Sequence, residues 1–148
     1  MTNECIPSVE AAYTQKITVH ADAALTGKCF VAPLVQYQNA QAPGLASDPL
    51  ATNDGGNLRC PGLPAAGGQV AGVCAWDVPS AGKAVIIRGA GTVLPVTAGA
   101  AITAGAEVQA DAAGKAVPVS SGKKVGIAHT GAAGAGTDVF VELYPNPV

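Results

Sequence analysis

Apolar residues in this chain come in runs of three to five, each broken by Gly, Pro, Asp or Ser. An amphipathic helix needs apolar residues three and four apart over at least three turns, and no stretch supplies them. Short runs bounded by turn formers are the pattern of strands instead. The expected fold is mainly β, with strands at residues 16–19 (KITV), 28–32 (KCFVA), 69–76 (QVAGVCAW), 83–88 (KAVIIR), 91–96 (GTVLPV), 106–110 (AEVQA), 115–119 (KAVPV), 124–128 (KVGIA) and 138–143 (DVFVEL). Turn signals lie between them at Asp22, at 103–105 (TAG), at 111–114 (DAAG) and at 120–123 (SSGK). Pro95 and Pro118 fall inside two of these runs. Proline has no N–H for a ladder, so both belong on an edge, at a bulge or beside a strand's end.

The strands fall into two similar sets. Residues 17–26 (ITVHADAALT) align with 94–103 (LPVTAGAAIT) at an offset of 77, with identities at Val19/Val96, Ala21/Ala98, Ala23/Ala100, Ala24/Ala101 and Thr26/Thr103. Residues 70–87 align with 124–141 at an offset of 54, without a gap. The first copy therefore carries about 23 extra residues, which fall in the Pro, Gly, Asn and Asp-rich stretch 33–64. A stretch of that composition and length is a surface insertion, and such long loops are usually functional. Each copy alone is too short to bury its apolar face, so the two are expected to pack into one sandwich- or barrel-like β domain over 15–143. An N-terminal arm (1–14), extended and without periodic pattern, and a C-terminal tail (144–148) with Pro145 and Pro147 flank it. On this view residues 2–9 can be deleted with the β fold intact.

Size and charge exclude several roles. The 148 residues suit a single core, but only 12% are charged and 4% aromatic. That core must be made of small aliphatic side chains, each burying little area, so association into oligomers is expected. Eight basic residues with no cluster beyond Lys123 and Lys124 cannot line a phosphate backbone, which argues against nucleic acid. No apolar run has the roughly 18 residues of a membrane helix. The opening residues MTNECIPSVEAAY have neither a basic nor an apolar signal region.

Reactive groups are few and isolated. Cys5, Cys29, Cys60 and Cys74 show no C-x-x-C spacing and no nearby His, so they read as buried free thiols, with a Cys60–Cys74 disulfide as the alternative. His20 and His129 stand without local carboxylate or cysteine neighbours. There is no G-x-S-x-G elbow, and 131–138 (GAAGAGTD) lacks the Lys-Ser/Thr pair of a phosphate loop. Asp77 and Glu107 would form an acid/base pair only if the fold joined them. No catalytic residue, metal or cofactor is expected.

Residues 91–143 carry a family pattern. A strand leads into V-x-A-G-x-A-[IV]-T-A-G (Val96 to Gly105), then V-x-x-D-x-x-G-K-[AV] (Val108 to Ala116), then V-G-I-A (Val125 to Ala128) and a closing V-x-V-x-L strand (Val139 to Leu143). In order and spacing this resembles bacteriophage capsid decoration proteins, also called cement proteins. The resemblance implies a non-enzymatic structural protein of the virion, made in the host cytoplasm, that binds the outer surface of an icosahedral capsid and stabilises it. Its implied partners are the major capsid protein and further copies of itself, commonly as a trimer. The proline-rich insertion and the four cysteines depart from the pattern. On this basis Ile6, Val9 and Tyr13 of the unpatterned arm are the candidate capsid contacts, because such a segment suits ordering on a partner. Trp76, the single tryptophan, and Tyr37 in the insertion are the candidate oligomer contacts. The alternative role is a virion-surface adhesion module that binds host glycan or protein through the insertion.

Overall fold

Strand-forming runs separated by tight turns leave the chain one way to bury its apolar side, which is to alternate residues across paired strands. The computed structural model describes residues 4–7, 14–36 and 58–145, and their regular elements are all strands. Sheet one holds β1 (Gln15–Ala21), β2 (Phe30–Val31), β3 (Val35–Gln36), β4 (Leu58–Cys60), β5 (Gly72–Cys74) and β6 (Lys83–Arg88), in the order β2-β5-β6-β1-β4-β3. Sheet two holds β7 (Val93–Thr97), β8 (Glu107–Ala110), β9 (Ala116–Pro118), β10 (Gly126–Ala128) and β11 (Asp138–Leu143), in the order β7-β11-β10-β8-β9. All nine expected strands are present. β3 and β4 are additional, and both lie in the stretch read as insertion.

The two-copy organisation holds bond by bond. Val31 pairs with Gly72 and Phe30 with Val73 in sheet one, and Val108 pairs with Gly126 and Glu107 with Ile127 in sheet two. Leu25 bridges Val78, and Ile102 bridges Ala132. Ala21 accepts from the Ala81 N–H at 2.8 Å, and Ala98 accepts from the Gly136 N–H at 2.8 Å. The order β2-β5-β6-β1 is thus repeated as β8-β10-β11-β7. One detail of the alignment is corrected. Ala84 and Ile86 are buried and match the buried Val139 and Val141, whereas an offset of 54 would set them on the exposed Asp138 and Phe140. The second copy has one more residue in the turn before β11, because a one-residue slip reverses every side chain of a strand.

Each sheet curls towards closure. The parallel β1–β4 pairing (Ala21 with Cys60) has its counterpart in the parallel bridge between Ala98 and Ala116, which ties β9 to the end of β7. The inner face of sheet one buries Val19, Ala21, Val31, Cys60, Cys74, Ala84 and Ile86 in one cluster. The inner face of sheet two buries Leu94, Val96, Val108, Val139 and Val141 in another, and this second cluster also takes in Phe30, Val73 and Ile87 from the outer face of sheet one. The sheets therefore stack outer face on inner face. Pro95 and Pro118 both lie on edge strands of sheet two, as their missing N–H requires.

Candidate interaction surface

Two of the five residues singled out in the sequence flank one hydrogen bond. The Cys5 N–H donates to the Ala75 carbonyl at 2.6 Å, and the Cys5 thiol reaches the Pro95 carbonyl at 3.5 Å. Cys5 is buried in the cluster shared by both sheets, while its neighbour Ile6 is 69% exposed. Trp76, which follows Ala75, is 42% exposed. With Cys5 held inward by this bond, its neighbour Ile6 lies on the solvent side. Val9, Tyr13 and Tyr37 lie outside the described residues. Deleting residues 2–9 would take the buried Cys5 side chain out of the core.

Sequence reasoning missed the outer face of sheet two. Ile127 stands between Glu107 and Glu142, its register partners on β8 and β11, and Phe140 lies opposite Pro95. Around this apolar pair run an ion pair between Lys124 and Glu107 at 2.6 Å and a contact between His129 Nε2 and Glu142 at 2.7 Å. The Lys124 hydrogen bond holds the Glu107 carboxyl below its usual range, and Glu107 raises the Lys124 ammonium in turn. Tyr144 donates its hydroxyl to Glu107 at 3.3 Å. The signal was present in the repeat. Phe30, Ala75 and Ile87 of the first copy correspond to Glu107, His129 and Glu142 of the second, so one copy's outer face is apolar and buried while the other's is charged and open.

The groups that might have supported chemistry are committed elsewhere. All four cysteines are free and buried. Desolvation raises every thiol, Cys5 to about 12 and Cys29 and Cys74 to about 11, which suppresses the thiolate needed for nucleophilic or metal-binding work. Cys60 is raised for the same reason. Asp77 accepts from the Gly27 N–H at 2.9 Å, while Glu107 is held by Lys124, so the two carboxylates serve different partners. Among the described residues no group of three or more His, Cys, Asp or Glu is placed to hold a metal ion, and no helix is long and apolar enough to cross a membrane.

The family model described as phage cement protein matches residues 34–143. This chain belongs to the phage cement protein family. It is accordingly a structural protein of the phage virion, associated with the capsid. Among solved structures it is similar to the N base of the head fiber gp8.5 of bacteriophage phi29, with a TM-score of 0.63 and 17% identity over 91% of this chain and 98% of that one. At that identity the likeness concerns the fold. No curated protein matches the chain.

Proposed function

We propose that this cement protein binds the outer surface of an icosahedral phage capsid, contacts the major capsid protein and stabilises the shell without catalysing a reaction. The family match over 34–143 carries the proposal. Ile6, Val9 and Tyr13 make the shell contact, with Ile6 already turned to solvent beside a buried anchor. Trp76 and Tyr37 contact neighbouring copies in a trimer. A flat aromatic surface such as the exposed part of Trp76 contributes more at an interface than in water. Three copies bound to one lattice face turn each further contact into an intramolecular event, so weak individual touches give firm attachment. Four unpaired thiols suit synthesis in the reducing host cytoplasm.

Co-sedimentation with emptied shells tests the proposal. Saturable binding at many copies per shell is expected. Binding to host cells or glycans with no affinity for shells would favour the adhesion role instead. Ile6→Asp should weaken shell binding by tenfold or more with the fold retained, and unchanged affinity would move the contact away from the arm.

A further inference from the structure

Between the ends of β6 and β11 the two units leave a cleft of about 900 Å³. Its apolar lining comes from both. Leu34 and Leu58 are partly buried against the first cluster, while Val70, Val125 and Leu143 belong to the second. Arg88, the last residue of β6, is the single charged residue among the described lining residues. Its Nε donates to the Oε1 of Gln15, its register partner on β1, at 3.0 Å, and its two terminal nitrogens have no partner among the described residues. Tyr144 also lines the cleft, but its hydroxyl serves Glu107, which does not. The repeat shows that strand pairing does not require a cation at this place. In the second unit the positions of Arg88 and Gln15 are taken by Leu143 and Thr92, both buried.

An apolar cleft with a few oriented polar groups is the usual form of a binding site. A guanidinium held at Nε keeps its two terminal nitrogens side by side for the two oxygens of a carboxylate. The lining holds no carboxylate, so the ligand that complements Arg88 brings one. The aliphatic walls favour apolar residues beside that carboxylate, and they strengthen the pair relative to one on open surface. We propose that the cleft receives an extended segment of the shell protein in which an Asp or Glu stands among aliphatic residues, its carboxylate forked on Arg88. The inference rests on the reading that the chain binds shells, and it adds a second contact to that of the arm. A volume of about 900 Å³ lies at the upper end of the range for small-molecule sites and leaves room for several residues of a chain.

Co-sedimentation of the full chain with emptied shells, repeated with Arg88→Gln, Arg88→Lys and Lys83→Gln, tests the cleft. Lys83 is exposed at the opposite end of β6, so its variant makes the same change in net charge away from the cleft. Arg88→Gln should weaken shell binding at least tenfold, whereas Lys83→Gln should bind like the parent. A parent that does not bind shells would overturn the reading and this inference together. A parent that binds, with the two Gln variants equal in affinity, would overturn the cleft alone. Arg88→Lys, bound to shells at saturating concentration, is then treated with a water-soluble carbodiimide, which joins a touching amine and carboxylate as an amide. Peptide mass should place the introduced amine on one Asp or Glu of the shell protein flanked by aliphatic residues. No such junction, or one within a polar stretch, would overturn the proposal. If Arg88→Gln does not fold, the junction formed by Arg88→Lys still decides.

Discussion

Ala81 and Lys28 both occupy left-handed backbone positions, at φ of 63° and 59°, where the second unit has Gly136 and Gly105. A side chain costs roughly 1–2 kcal/mol in that region. Lys28 recovers part of it through the ion pair with Asp138, which at 23% and 37% side-chain exposure is worth at most about 1 kcal/mol. No comparable partner exists for the methyl group of Ala81. Ala81→Gly should therefore raise unfolding stability by about 0.5–1 kcal/mol once the added freedom of the unfolded chain is counted, while Lys28→Gly should be nearly neutral. Urea denaturation checks both, and a lower midpoint for Ala81→Gly would contradict the strain argument. The reverse change is forbidden at Gly126, where an added Cβ would run into the Glu142 carbonyl oxygen, as it would into that of Ile87 at Gly72. Gly126→Ala should cost about 3 kcal/mol. The thiols set a pH dependence. Unfolded cysteines titrate near 9.0, but burial holds Cys5 to about 12 and Cys29 and Cys74 to about 11. Between these values the unfolded chain has released protons that the folded chain retains, so stability is full below about pH 9 and falls as pH rises towards 11 and 12. A Cys29→Ala/Cys74→Ala variant should lose less between about pH 8 and about pH 10.5 than its parent, and an equal loss would contradict the assignment.

Strand alternation decides which face of each unit is buried, and the two copies use it differently. Ile87 is 2% exposed between the sheets, while its counterpart Glu142 faces outward with His129. Ile87→Glu would bury an unpaired carboxylate and should cost at least about 3 kcal/mol, whereas Glu142→Ile should fold normally and increase self-association. Denaturation and sedimentation velocity distinguish these outcomes, and a well-folded Ile87→Glu would contradict the outer-on-inner stacking. Nine strands were legible because their apolar runs are long enough to alternate against turn residues. β3 and β4 were not, since Val35–Gln36 and Leu58–Cys60 carry two and three residues with no alternation of their own. They are strands because of partners: Arg59 lies beside His20 of β1, buried and paired with Asp22. The candidate site was legible only in part. Ile6 stood out because the arm lacks pattern, but the burial of Cys5 next to it depends on Ala75 and Pro95, which are remote in sequence. The open face around Ile127 and Phe140 became visible only when the copies were compared position by position in the correct register.

Over the described residues the chain is a stack of two repeated β units built on small side chains, with its four thiols buried. As a member of the cement family it is a structural protein of the phage virion. The oligomer expected from the small-residue core, a trimer by the family resemblance, should appear in sedimentation velocity at micromolar concentration, and a stable monomer there would remove the multiplicity that the proposed attachment needs. The most direct test compares purified shells with and without the bound chain during gradual heating, following shell disruption as a function of occupancy. Disruption should move to higher temperature as sites fill and level off at saturation. Shells that are fully occupied yet break at the same temperature as bare ones would contradict a stabilising role.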